Sequence, residues 1–186
     1  MAMPSREQSL ALLEAWVTNQ NLRKHMLAVE AAMRAYAKVY GGDLDSWGQA
    51  GLLHDFDYER YPDPTDHPFK GVAELQRRGY PSEFCAIILA HAPHTHEPRD
   101  TPAKQCIFAV DELTGFIVAV ALVRPSKKLA DVTVQSVVKK LKDKAFARPV
   151  NREEIQKGAA ELNLPLETHI QHVLAALQSI APQLGL

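Results

Sequence analysis

Apolar residues recur along this chain in three- and four-residue steps. Leu10, Leu13, Trp16 and Val17 share one face of a first helix that Ser5 can cap. Leu22, Met26, Val29, Ala32, Met33, Tyr36 and Val39 make a longer stripe, predicting a helix from Asn21 to about Tyr40 that Gly41-Gly42 ends. Asp43 or Asp45 caps a third helix, which carries Trp47, Ala50, Leu52 and Leu53 up to a His54-Asp55 pair. Tyr61-Pro62-Asp63-Pro64 cannot be helix interior. Thr65 or Asp66 is expected to restart a helix through Gly71, Val72 and Leu75, which Gly79-Tyr80-Pro81 stops. Ser82 is expected to cap the next, Phe84 to His91, which Pro93 ends.

Beyond a polar loop from Ala92 to Thr101, Thr101-Pro102 reads as a cap followed by a first-turn proline. The helix it opens is long and apolar, reaching about Val123. A short basic, partly amphipathic segment follows, Val132 to Leu141. Asn151 with Glu154 is a capping-box pattern, and a last helix from Pro165 to Ile180 carries Ile170, Val173, Leu174 and Leu177 in register. No strand-like alternation and no internal repeat interrupts this reading. The expected fold is all-α: a compact multi-helix bundle in which residues 1–131 form the core and 132–186 a helical extension packed on it.

Composition changes this picture little. A chain of 186 residues can bury a core without staples. The 21 basic and 22 acidic residues nearly cancel, which argues against a dominant nucleic-acid surface. Cys85 and Cys106 both fall in apolar helical stretches and read as buried free thiols, not a disulfide framework. Met1 to Gln8 lacks a basic region followed by an apolar run, and the apolar stretch Phe116 to Val123 is too short to span a bilayer. A soluble, cytoplasmic protein with no membrane partner is the expectation.

The chemistry lies where polar residues interrupt the apolar pattern. Asp111 sits within Cys106-Ile107-Phe108-Ala109-Val110-Asp111-Glu112-Leu113, in the middle of the most apolar helix. A carboxylate there costs roughly several kcal/mol unless it is paired or bound to a cation. His54 and Asp55, as helix neighbours, would point about 100° apart, so both can face one ion only near a helix end. Pro62 and Pro64 are consistent with such an end. His25 lies on the flank of the second helix's stripe. Together, two histidines and two carboxylates from three helices form a mixed nitrogen and oxygen donor set, which suits Mn, Fe, Zn, Co or Mg. His67 at a predicted helix start and His91 at a helix end can complete a second position, with Asp55 bridging two ions through its two oxygens.

Alternatives remain open for each residue taken alone: Asp111 facing outward beside Glu112 or pairing with an arginine, His67 as a cap contact, His91 as a core hydrogen bonder. His94 and His96 lie in a loop, as solvated residues or as substrate contacts, and His169 and His172 read as surface or core residues. Arg124, Lys127 and Lys128 follow directly on the Asp111 helix, and Lys104 lies two turns before Asp111. These four are the expected contacts to a phosphate or acidic substrate, against the alternative of a solvated cationic face.

The ordered set resembles the HD-domain superfamily of metal-dependent phosphohydrolases. Their shared pattern is a histidine, a His-Asp pair and a later aspartate, matched here by His25, His54-Asp55 and Asp111. Two-metal members add a histidine in a His-Pro-x-x-Gly stretch and another at the end of the next helix. His67-Pro68-Phe69-Lys70-Gly71 and His91 match these. The resemblance covers roughly Leu22 to Val123 and is greatest to small, stand-alone HD hydrolases. It implies an all-helical fold with the metal at its centre, one or two divalent ions, and hydrolysis of a small phosphorylated molecule, often a nucleotide, with Asp55 central to catalysis. Gly79-Tyr80-Pro81 precedes His91 instead of following a His-His pair, so the activity of the cyclic-dinucleotide phosphodiesterases is not carried over. Two other classes fit the same ligands: a di-iron oxygenase of the HD type, and a non-catalytic nucleotide-binding or regulatory module with a structural metal. The stretch from Val132 to Leu186 carries no readable motif; shaping the pocket or forming a homo-oligomer surface are its two open roles.

Overall fold

The computed structural model describes residues 3–186, and among these the chain is helical with no strand. Helix α1 (Arg6–Trp16) opens with a complete capping box, in which the Ser5 hydroxyl accepts from the Gln8 N–H and the Gln8 side chain accepts from the Ser5 N–H. Helix α2 (Gln20–Tyr40) starts one residue earlier than predicted because Asn19, not Asn21, is the cap: its side-chain oxygen accepts from the N–H groups of Asn21 and Leu22. Gly41, at φ 67°, ends it. Asp43 caps α3 (Leu44–Leu53) by accepting from Ser46 N–H, and His54 stands at its C-terminal boundary.

The next helices differ from expectation at their starts. Thr65 and Asp66 do not begin a helix. The N–H groups of Asp66 and His67 both turn back to Asp63 O, and α4 (Phe69–Arg77) begins only after Pro68. Ser82 is the first residue of α5 (Ser82–Leu89), not its cap; Pro81 holds that position, where its missing N–H costs nothing. His91 therefore lies just past α5. After a short 3-10 turn at Pro93–Thr95, α6 (Pro102–Leu122) runs through the molecule. Helices α7 (Val134–Leu141), α8 (Arg152–Glu161), α9 (Leu166–Ser179) and the single turn α10 (Ala181–Leu184) follow.

The 21-residue helices α2 and α6 form the centre. Helix α2 packs on α3, α6 and α9, while α5, α7, α8 and α9 also surround α6. Met26, Val29, Met33 and Tyr36 from α2 meet Cys106, Ile107, Val110, Leu113 and Phe116 from α6 in one apolar cluster, which Val137, Ile155, Ile170, Val173 and Leu177 of the C-terminal helices join. Fully burying each such side chain is worth roughly 1.5–3 kcal/mol. Helix α6 is long and apolar enough to cross a membrane by length and composition alone, as a buried core helix also is. Most of that apolar surface is covered by its neighbours here.

Two polar devices set the spacing of the central helices. Glu30, buried on α2, takes Arg6 from α1 and Arg34 from its own next turn at 2.6 and 3.0 Å. Gly51 brings α3 against α2 so closely that a Cβ there would lie 2.8 Å from the Val29 carbonyl oxygen. The contact lies about one helical turn from His25 on α2 and from His54 at the end of α3. On the other side of α2, buried His169 of α9 donates from Nε2 to the Ala109 carbonyl of α6 at 2.9 Å and accepts the Tyr36 hydroxyl of α2 at Nδ1. Burial holds its pKa down, at about 4. Cys85 and Cys106 are buried free thiols, and burial pushes both pKa values up, Cys85 to about 11.

Candidate metal centre

Five segments carry the six donors to one place. His25 comes from α2, the His54-Asp55 pair from the end of α3, His67 from the turn before α4, His91 from the residue pair after α5, and Asp111 from the middle of α6. The backbone loosens at His54-Asp55, as the 100° spacing of helix neighbours requires: residues 54–60 form successive turns, with Tyr58 N–H bonding back to Asp55 O.

The donors fall into two sets that share Asp55. In the first, Asp111 Oδ1 lies 3.0 Å from His25 Nε2 and 3.4 Å from His54 Nε2, and Asp55 Oδ2 lies 3.5 Å from His54 Nε2. In the second, Asp55 Oδ1 lies 3.3 Å from both His67 Nε2 and His91 Nε2, which are themselves 3.3 Å apart. Donors held about 2.0–2.2 Å from a shared ion stand roughly 3.0–3.5 Å from one another, so both sets have the separations a divalent ion needs. Within each of the groups His25, His54, Asp55 and Asp55, His67, His91 the donor atoms lie within 4.8 Å of one another. One oxygen of Asp55 faces each set, the arrangement of a bridging carboxylate.

Hydrogen bonds behind the imidazoles fix which nitrogen faces inward. His54 Nδ1 donates to Gly51 O at 2.8 Å and His91 Nδ1 to Ile88 O at 2.6 Å. His67 Nδ1 donates to Asp57 Oδ1 at 2.8 Å, and Asp57 in turn accepts the Gly71 N–H at 2.6 Å. Each ring thus turns its Nε2 lone pair to the centre, the usual support of a metal-bound histidine. His54 Nε2 is fully buried and has no hydrogen-bond partner. Such an orphaned group costs about 1–3 kcal/mol, and a bound cation removes that cost. The residues present therefore fit one or two divalent ions.

Electrostatics agree with the geometry. Burial alone would push the His54 pKa down, but Asp55 and Asp111 override it and hold it up, at about 9. Asp55 and Asp111 are held well below the ordinary carboxylate range: burial opposes this, and the facing histidines prevail. The site is built for positive charge. It opens into a cleft of about 320 Å³, whose walls also include Tyr58, Glu112 and Glu154. Burial raises the pKa of both glutamates, and Asp111 adds to the effect.

These wall residues and Asp57 escaped the sequence reading. The signal for Asp57 was a second carboxylate two residues after Asp55, with Gly71 placed to approach it: a Cβ at Gly71 would meet Asp57 at 2.8 Å. Glu154 was read only as a cap partner. It does accept from the Asn151 side chain, but the Asn151 backbone N–H goes to Glu112 at 3.0 Å, tying α8 to α6 beside Asp111.

The four expected substrate cations do not reach the cleft. Lys104 Nζ is held by Glu97 and Asp100 at 2.7 and 3.0 Å. Arg124, Lys127 and Lys128 follow the far end of α6, roughly 20 Å along its axis from Asp111 at the helical rise per residue. The sequence pattern placed them near in order, but helix length carries them away. No lysine or arginine among the described residues lines the cleft. His94 donates to the His67 carbonyl oxygen at 2.8 Å, steadying that turn, and His96 is exposed. His169 is a core residue, and His172 borders a separate surface groove.

Compared with known protein families, the HD domain matches residues 22–115, half of the chain, and this span contains all six donors. The chain belongs to the HD-domain family. Comparison with curated proteins and with solved structures finds no significant match. The all-α fold expected of an HD domain is the one observed, and the family is one of metal-dependent hydrolases in general.

Proposed function

We propose that this HD-domain protein is a metal-dependent hydrolase of a phosphate ester. The observation that carries the reading is the sharing of Asp55 between two histidine-containing donor sets, with its two oxygens turned to opposite sides. His25, His54, Asp55 and Asp111 would hold one ion; His67, His91 and Asp55 would hold a second. Divalent ions so placed supply a water of lowered pKa and positive charge for the phosphoryl oxygens. The cleft walls add no lysine or arginine of their own, so ions held at these six residues would balance the charge of a bound phosphate. Asp57 keeps the His67 proton on Nδ1 and its lone pair inward.

The test is a phosphate-release assay over mono- and diesters, with metal content measured on the same samples. Asp55→Ala is expected to lose metal and hydrolysis together while its helical circular dichroism persists. A metal-replete, active Asp55→Ala protein would overturn the proposal. So would oxygen consumption without phosphate release, which is the outcome a di-iron oxygenase gives.

A further inference from the structure

Gly115 has no packing reason to be glycine. It lies in the interior of α6, where glycine costs up to about 1 kcal/mol relative to alanine, and a Cβ added there would meet nothing within 4 Å. Its missing side chain leaves bare backbone between two neighbouring cavities. Gly115 and the metal-site residue His25 line both the cleft and a second cavity of about 350 Å³ between α2 and α6.

The lining of that cavity is mostly apolar. Val118 and Leu122 continue the α6 stripe that runs from Asp111 through Gly115, at steps of four, three and four residues. Leu184 and Leu186 close the opposite wall. Asn21 and Lys24, both exposed, lie at the rim. Leu122 is 49% exposed despite its place on the central helix. An apolar groove that begins one helical turn from a metal donor and shares a histidine with it is positioned for the group attached to the reacting phosphate.

We infer that this groove is the substrate subsite for the alcohol portion of the ester, and that this portion is an apolar chain or ring, not a sugar or polyol. The inference deepens the phosphohydrolase reading and rests on it. The phosphate stays in the cleft among the six donors, and the apolar group passes over Gly115 to lie along Val118 and Leu122.

Binding tests this without turnover. A series of n-alkylphosphonates from methyl to octyl is titrated by calorimetry into the metal-loaded protein. Apolar burial predicts that each methylene entering the groove tightens binding by up to about fourfold. Methyl resonances of Val118, Leu122 and Leu184 should shift in step with chain length. Gly115→Leu, which favours the helix, should flatten the series by closing the passage. Val118→Gln should weaken the octyl member at least several-fold more than the methyl member. A flat series in the wild-type protein, or a Gly115→Leu protein that keeps the full chain-length dependence, would overturn the groove assignment. If chain length tightens binding but no phosphate ester is hydrolysed, the groove stands as an apolar ligand subsite beside the six donors and the phosphohydrolase reading fails. If methylphosphonate does not bind at all, phosphate anchoring is wrong, and n-alcohols then read the groove alone by the same methyl shifts.

Discussion

The two halves of the candidate metal centre are built differently. The His25, His54, Asp111 half stands on the bundle's central helices: two donors are within α2 and α6, and the third ends α3. The His67, His91 half stands on turns flanking α4 and α5, and its geometry comes from side-chain hydrogen bonds to Asp57 and to Ile88 O. In the first half, core packing places the donors. In the second, a few polar contacts do. Asp55 is the one residue that both depend on. The helix-borne half should therefore bind the tighter ion and resist local change, and the turn-borne half should be the one that single polar substitutions empty.

The largest effect that sharpens this contrast is loss of a helix-borne donor. Asp111→Ala should lower the affinity of the first position by more than the roughly 100-fold upper end seen for supporting residues, and abolish hydrolysis. His91→Ala should release only the second ion. Calorimetric metal titration of the two variants separates them; equal losses at both positions would erase the contrast.

Acid should reach the helix-borne half through His169, which clamps α6 at Ala109, two residues before Asp111. Its folded pKa of about 4 lies below the ordinary 6.5, so the unfolded chain binds the extra proton first. Its contribution is fully present above pH 6.5 and is lost as pH falls toward 4, amounting to roughly 3 kcal/mol at most. Urea denaturation of the metal-free protein at pH 7.5, 5.5 and 4.5 measures the fall, and His169→Gln should remove much of that slope.

Asp57→Asn targets the turn-borne half. It disturbs the tautomer of His67 and the Gly71 contact, and should weaken the second ion by about 10–100-fold while leaving the first unchanged. Metal titration showing both positions weakened alike would mean that Asp57 supports the whole centre. The smallest effect is expected from Asn19→Ala, which removes the cap of α2 and should cost about 1 kcal/mol of stability by chemical denaturation without altering the number of ions bound.

Much of this was legible in the chain. Ser5, Asp43 and Asn151 announce helix starts because a short polar side chain before an apolar stripe satisfies exposed N–H groups locally. The six donors were legible as interruptions of apolar periodicity in a fixed order, and the requirement that His54-Asp55 fall at a helix end follows from helical geometry. What escaped depends on tertiary placement. The start of α4 was misread because Thr65 and Asp66 look like caps, yet their segment turns back on Asp63. Asp57 contacts His67 and Gly71, and Glu112 and Glu154 line the cleft, only because α4 and α8 approach it. Arg124, Lys127 and Lys128 seemed close to Asp111 in sequence, but a helix converts that separation into length.

The most direct test of the central claim is metal stoichiometry at neutral pH, on protein purified without added metal or a nickel column and then titrated with Mn or Fe. Two donor sets sharing Asp55 predict close to two equivalents per chain, bound in a tighter and a weaker step, both lost in Asp55→Ala. Protein that holds no ion as purified and takes none up on titration would contradict it.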